Sequence, residues 1–338
     1  MRRRRFIRIA GAAIALAGAP AAARAIASAD ITKAPAGGWG GFTPNADFYV
    51  TTYGTTPRVD AGQWRLKIHG LVKNSLELDL AAVRAMPPVN ETLTLECIGN
   101  PPNGTLIGNA SWTGPKLGSL LERARPLSKA VYAKLRAADG YTTGIPIDEM
   151  MRKENFLPYL MNSVPLPPQH GYPLRIFIPG KYGMKQPKWL TEIEFVDKEF
   201  IGYWEARGWT NSAWRKVNSG FFYPQANYSL LDVVAPEAKV RAPVEMVGWA
   251  LAGPSGIRRV DVSTDDGQTW NAAELSGNSR SPYIWTVWKY RFAPPERGRY
   301  HVRVRATDGD GHSQPPSDPD RAAGMSAQVR IALAVTTG

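Results

Sequence analysis

The stretch ETLTLECIGNPPNG, Glu91 to Gly104, contains the single cysteine of a 338-residue chain. Up to Cys97 it alternates with period two, so Leu93, Leu95 and Cys97 share one face of an expected strand and Thr94 and Glu96 the other. Immediately after it, Gly99-Asn100-Pro101-Pro102 ends the strand in a tight turn. Working outward, short elements of both kinds surround this strand. WRLKIHGLV (64–72) alternates as a strand, and LDLAAVRAMPPV reads as a short helix stopped by Pro87 and Pro88. WTGPKLGSLLERA leads through a turn into a helix ending near Arg125-Pro126, and AVYAKLRAADGYTTGIP reads as strand, turn and strand. Helices and strands mix without a regular βαβ rhythm, which predicts an α+β domain and not a doubly wound one.

From about Val233 the pattern changes. VEMVGWAL, IRRVDVSTDDGQTW, YIWTVWKYRF and YHVRVRATDGDG are short alternating strands separated by Gly, Asp and Pro turns, the pattern of a β-sandwich of about 100 residues. Val302 and Val304 are expected to face inward and Arg303 and Arg305 outward, while the turn Thr264–Thr269 is expected to feed a core tryptophan at Trp270. The expected organisation is 1–25, 26–232 and 233–338, with no internal repeat.

The first 25 residues, MRRRRFIRIAGAAIALAGAPAAARA, have the layout of an export signal: arginines, a short alanine-rich apolar run, then small residues. Arg3-Arg4-Arg5-Phe6-Ile7-Arg8 fits the twin-arginine pattern, an ordinary secretory leader being the alternative. Cleavage is expected after Ala25, or after Ala29. No later run approaches the ~20 apolar residues of a membrane-spanning helix. Six of the 41 Lys and Arg residues precede Ile26 and no acid does, so the mature chain carries an excess of +6. That suits an anionic cofactor, substrate or partner, and the absence of long basic runs argues against nucleic acid. One cysteine excludes an internal disulfide, a c-type haem attachment pair and a cysteine-ligated iron–sulfur cluster. His69, His170, His301 and His312 are scattered and form no zinc motif. A redox enzyme of this composition has to pass its electrons to a separate protein.

Two constellations carry possible chemistry. Cys97 is either an inert small apolar residue in a strand or a thiolate presented at a turn, where backbone amides reach the sulfur and make it a soft metal ligand. The second is HGYPLRIFIPGKYGMKQPKWL, His170 to Leu190. Its histidine, Arg175 and the lysines Lys181, Lys185 and Lys188 can surround a phosphate, although loop lysines are more often simply solvated. Arg175 interrupts an apolar run, where burial demands a partner.

ECIGN, WTGPKLGSLLERA and HGYPLRIFIPGKYGMKQPKWLTEIEF together resemble the sulfite oxidase family of molybdopterin-dependent oxidoreductases, and VDVSTDDGQTW resembles that family's dimerisation domain. The resemblance covers most of the mature chain: strand Cys, His-x4-Arg, then Lys-Trp-Leu beginning thirteen residues after the Arg. It implies an α+β fold, a mixed sulfite-oxidase-type molybdopterin-binding domain followed by an all-β immunoglobulin-like sandwich. It further implies a cofactor of molybdenum and molybdopterin, with Cys97 as metal ligand and His170, Arg175 and Lys188 on the pterin phosphate. Asp139, Tyr141 and Tyr53 fall on the pterin side. In sulfite-oxidising members a loop of the form FxxRNH brings an arginine beside the metal; here FYVTTYG puts Thr51, Thr52 and Tyr53 there, and Trp209 stands where a tyrosine is expected. Arg207 and Arg215 are the candidates to compensate. The implied protein is a periplasmic enzyme exported by the twin-arginine route, a homodimer acting on a small molecule with a partner such as a cytochrome. It oxidises sulfite or a related sulfur compound; the alternatives are reduction of a sulfoxide-type substrate and a non-catalytic exported binding protein.

Overall fold

Residues 40–224, 234–276 and 281–337 are described by the computed structural model, and all fall in one compact unit. The expected signal at 1–25, with Ala25 and Ala29, lies outside the described residues, as does the expected boundary at 232. In chain order the first half holds β1 (Leu66–Gly70), β2 (Leu76–Leu78), α1 (Leu80–Arg84), β3 (Pro88–Glu96), β4 (Ile107–Pro115), α2 (Gly118–Ala124), β5 (Tyr132–Ala137), β6 (Thr142–Pro146), α3 (Ile147–Met150), β7 (Leu160–Met161), β8 (Val164–Pro165) and β9 (Leu190–Val196). The second half holds β10 (Asn218–Tyr223), β11 (Val234–Lys239), β12 (Val244–Leu251), β13 (Ile257–Ser263), β14 (Asn271–Ala272), β15 (Glu274–Ser276), β16 (Thr286–Phe292), β17 (Gly298–Asp308) and β18 (Val329–Thr336).

The helices are short for local reasons. Asp79 caps α1 by accepting the Ala82 amide at 2.7 Å, and Pro87-Pro88 follow its end. Arg125 closes α2 in the left-handed conformation, with its amide on the Leu121 carbonyl. Around them two sheets form the first half. One runs β2-β1-β9-β5-β6, with β1 parallel to β9 and the other pairs antiparallel. The other is the antiparallel sheet β3-β4-β7-β8. Leu66, Ile68, Ile193 and Phe195 pack with Leu120 and Leu121 of α2 in one core. Leu93, Leu95, Trp112, Phe156 and Phe177 make a second core beneath the Cys97 strand.

The second half is a sandwich of sheets β10-β12-β16-β15 and β11-β18-β17-β13-β14. Val302 and Val304 are fully buried against Val260, Val262, Ile331 and Trp288, as their alternation predicts. β13 and β14 do form the expected hairpin. Trp270 corrects the sequence expectation: it is only partly buried, its indole NH bonding Gly267 at 3.0 Å and its ring covered by the Arg305 guanidinium at 4.1 Å. The core tryptophan is Trp288, on β16. Phe221 on β10 also packs edge-on to Trp288, so this sandwich sheet takes in a strand that precedes residue 232.

Residues 43–53 belong to no sheet. They cross the first half as a strap with a turn at residues 45–47: Thr43 and Asn109 exchange two bonds, and Asn162 donates to the Thr43 carbonyl at 2.9 Å and to Asn45 Oδ1 at 2.8 Å. Phe48 is buried against Trp112 and His170.

Candidate active site

The strap, the β3 turn, the β5–β6 turn and the loop from His170 to Trp189 enclose a cleft of about 320 Å³. Nine of the residues singled out from sequence line it: Thr51, Tyr53, Cys97, Asp139, Tyr141, His170, Arg175, Lys188 and Trp209. Arg207 and Arg215 do not. Arg207 is exposed, stacked on Tyr203 at 3.6 Å, and Arg215 is buried with Nη1 on the Thr94 carbonyl at 3.1 Å.

Cys97 is partly buried at the cleft wall, just past the end of β3. Burial raises the pKa of its thiol, and the Gly99 amide and Thr51 hydroxyl offset part of that rise by hydrogen bonding. The turn that presents it is closed from both sides. The Cys97 amide donates to the Leu106 carbonyl and the Asn100 amide to the Cys97 carbonyl, each at 2.9 Å. Trp209 and Gly99 border the sulfur, and the four aromatic rings of Tyr53, Tyr141, Tyr203 and Trp204 follow one another in contact, with centroid separations of 4.4 Å for Tyr53–Tyr203 and 5.0 Å for Tyr203–Trp204.

The opposite character prevails around His170, Arg175 and Lys188. Gly171, with φ +113°, is where their segments meet: a Cβ there would lie 3.1 Å from the Cβ atoms of both Arg175 and Lys188, so the turn needs glycine on both conformational and steric grounds. Arg175 is 2% exposed, with Nη1 on the His170 carbonyl at 3.2 Å, Nη2 on the Gln186 carbonyl at 3.3 Å and its guanidinium 4.8 Å from the Phe177 ring. Its Nε is buried without a partner. Burial lowers its pKa to about 10. Lys188 donates to the carbonyls of Thr51 and Gln169, both at 3.0 Å. Burial and then the Arg175 charge bring it down to about 7, against the opposing pull of Asp139. His170 bonds the Asn45 carbonyl at 3.0 Å, and burial lowers it to about 4, so it is neutral at neutral pH. None of the three is ion-paired among the described residues.

On the facing wall, Asp139 accepts the Tyr141 amide at 3.0 Å, and its carboxyl is raised by burial. Tyr53 donates its hydroxyl to the Asp139 carbonyl at 2.7 Å, and Tyr141 donates to Met184 at 2.6 Å. Sequence reading missed Tyr49, Gln186 and Trp204 as cleft residues. Tyr49 sits beside the residues quoted from FYVTTYG and was legible by that neighbourhood; nothing local marked Trp204. Lys181 and Lys185, grouped with Lys188 in the sequence, are fully buried and spoken for. Lys181 pairs with Glu149 at 2.6 Å; Lys185 pairs with Glu205 and with Asn211 at 2.6 Å.

An unpaired, partly neutralised cationic corner beside a single thiol is an arrangement that a soft metal and a phosphate would complete. Comparison with known proteins agrees. Residues 53–204 match the oxidoreductase molybdopterin binding domain and residues 216–334 the Mo-co oxidoreductase dimerisation domain. The uncharacterized oxidoreductase YuiH of Bacillus subtilis (strain 168) is 32% identical over 150 residues, 44% of this chain and 74% of that protein. The chain belongs to the sulfite oxidase family. Within that family, mouse mitochondrial sulfite oxidase is 29% identical over 315 residues, covering 82% of this chain and 58% of the mouse protein. The sulfite oxidase of Arabidopsis thaliana is 28% identical over 283 residues, 72% of either chain. This chain thus spans a little over half the length of the mitochondrial sulfite oxidases it matches. The fold is that of the sulfane dehydrogenase SoxCD of Paracoccus pantotrophus, with a TM-score of 0.75, 20% identity and coverage of 98% of this chain and 96% of that one. The cofactor of this sulfite oxidase family member is molybdenum carried by molybdopterin. The residues present fit it: the buried, unpartnered Nε of Arg175 and the proton-shedding Lys188 lack the anion that a pterin phosphate would bring. No helix among the described residues is long and apolar enough to cross a membrane.

Proposed function

We propose that the chain is a periplasmic molybdenum oxidoreductase, exported by the twin-arginine route, that moves an oxygen atom to or from a small substrate. Its favoured reaction is oxidation of sulfite or a related sulfur compound, with electrons handed to a separate protein. The observation that carries this reading is the union in one cleft of a partly buried thiol with Arg175, Lys188 and the neutral imidazole of His170, none of them ion-paired among the described residues. When bound, the cofactor supplies two-electron oxygen-atom transfer at molybdenum.

The chain's own part is to bind, orient and shield. Cys97, once deprotonated, would hold the metal through its sulfur, with the Gly99 amide and Thr51 hydroxyl placed to donate to that sulfur. Arg175 would offer its free Nε to the pterin phosphate, its planar guanidinium oriented by the Phe177 and Trp112 rings at 4.8 and 5.2 Å. Lys188, shedding its proton at about 7 without an anion, regains it beside a phosphate dianion, and His170 completes that corner. Asp139, Tyr141 and Tyr53 line the pterin side. Thr51 and Trp209 border the face where substrate arrives, and the neighbouring aromatic rings exclude bulk water there. The match of 216–334 to a dimerisation domain supports a homodimer, and a single cysteine, which rules out a resident c-type haem, supports an outside electron acceptor such as a cytochrome.

A second reading, reduction of a sulfoxide-type substrate, is favoured by one feature. Thr51 and Trp209 stand where sulfite-oxidising members carry an arginine and a tyrosine, and with Trp204 they give the cleft a wall suited to an uncharged molecule. Purified enzyme assayed with sulfite and ferricyanide, and separately with methionine sulfoxide and reduced viologen, separates the two. Sulfite turnover upholds the first reading, and sulfoxide turnover without it replaces the first by the second. Elemental analysis without molybdenum, on protein from a host that makes the cofactor, would overturn both in favour of a binding protein. Cys97→Ser should keep the fold, a buried sulfur-to-oxygen exchange costing at most a few kcal/mol, while redox activity collapses.

A further inference from the structure

The face of β3 opposite the cleft is bonded to the sandwich. Thr94 donates its amide to the Tyr283 carbonyl at 3.0 Å and receives the Trp285 amide on its hydroxyl at 2.9 Å. Two residues on, Glu96 is completely buried, and its Oε1 accepts both Asn100 Nδ2 and Asn218 Nδ2, each at 3.0 Å. Asn100 is the residue that closes the Cys97 turn: its own amide bonds the Cys97 carbonyl, and its Oδ1 takes the Leu106 amide at 2.9 Å. Asn218 is the first residue of β10 and is itself fixed by Gln314 of the sandwich at 3.2 Å. Further round the same turn, Asn103 Oδ1 accepts the Phe221 amide at 2.7 Å. Gly220 leaves the room for it, because a Cβ there would stand 2.9 Å from that oxygen and 2.8 Å from the Trp249 ring.

From this junction we infer that Glu96, Asn218 and Asn103 are positioning residues: the sandwich, through β10, sets the geometry of the Cys97 turn and so of the bond from sulfur to metal. The inference rests on the reading of Cys97 as metal ligand. A fully buried side chain held between two amide donors fixes the turn more tightly than the turn's own backbone bonds do alone. Glu96, Asn218 and Asn103 thus give the second half of the chain a part in the metal site besides assembly.

The test uses the full-length holoprotein and its cofactor-free form. Glu96→Ala and Asn218→Leu should retain molybdenum and oligomeric state, shift the molybdenum–thiolate absorption band, and raise the rate at which iodoacetamide alkylates the cofactor-free protein by about threefold or more. With one cysteine in the chain, that rate reports on Cys97 alone. Glu96→Gln keeps an oxygen acceptor for both amides and should restore wild-type values. Val302→Ala, which opens a hole in the sandwich core away from the turn, should lower Tm and move neither readout. If Glu96→Ala and Asn218→Leu behave like Val302→Ala, losing only thermal stability, the inference is overturned. Should Asn218→Leu fail to fold, Asn103→Ala, which removes one bond to β10, carries the same test. A thiolate band surviving in Cys97→Ser would sink the ligand reading instead, and the alkylation rates alone would then decide whether β10 governs the turn.

Discussion

Three lysines within eight residues, Lys181, Lys185 and Lys188, face two different worlds. Lys181 and Lys185 turn inward and meet Glu149 and Glu205, carboxylates from other parts of the chain, together with carbonyls of Ser212 and Gly144. Lys188 turns toward the cleft and finds carbonyls and the Trp189 ring, with Arg175 and, less strongly, Asp139 as its electrostatic neighbours. A buried cation costs several kcal/mol unless an anion accompanies it. The first two therefore serve the fold, and the third, with Arg175, is arranged for an anion the polypeptide does not contain.

The contrast can be broken most forcefully at Lys185. Lys185→Met strands Glu205 in the interior and should cost about 3–5 kcal/mol of folding stability, read by denaturant unfolding of the cofactor-free protein; an unchanged midpoint would mean that the pair is not structural. Lys188→Met should do the reverse, leaving cofactor-free stability at neutral pH equal or higher while weakening cofactor retention by about 2 kcal/mol, or ~30-fold. Dialysis followed by molybdenum analysis measures this, and undiminished retention would refute the role given to Lys188. A finer distinction comes from Arg175→Lys. It keeps the charge but loses the planar fork stacked on Phe177 and Trp112, for an expected loss of about tenfold in retention.

A further distinction lies in the pH dependence of the cofactor-free fold. An unfolded lysine keeps its proton up to about 10.5, whereas Lys188 in the fold releases it at about 7. Between those values the unfolded chain binds the extra proton, so stability falls as pH is lowered from 10 to 7 and levels off below. Lys181, lowered to about 8 by burial, acts with the same sign, so the difference between wild type and Lys188→Met isolates Lys188. Thermal melts across that range should show a flatter curve for the variant. In the loaded protein, where a phosphate restores the charge, the Lys188 contribution should disappear.

Local pattern was enough for much of this. The alternation of ETLTLEC placed Cys97 at the end of a strand, and Pro87-Pro88 stopped a short helix where α1 lies. His170, Arg175 and Lys188 were legible because a family resemblance fixed their spacing, while Arg175 alone stood out physically as a charge in an apolar run. What could not be read was partnership across distance. Glu149 and Glu205 give no local sign that they neutralise Lys181 and Lys185, so all three lysines looked alike. Trp270 looked like core because an aromatic residue ending a hairpin usually is; Arg305 lies over it instead, from a strand more than thirty residues further on. Nor did alternation in NSGFFY reveal that β10 would join the sandwich, since strand pairing is decided by the partner and not by the strand.

The strap from 43 to 53 has one more consequence. Its carbonyls at Asn45 and Thr51 are bonded to His170 and Lys188, and it has no ladder of its own to lean on. The amide hydrogens of a segment tethered that way exchange with solvent through small local openings and not through global unfolding. Deuterium uptake along these few residues should therefore distinguish empty from charged enzyme, a gauge of maturation that needs neither a substrate nor an electron acceptor.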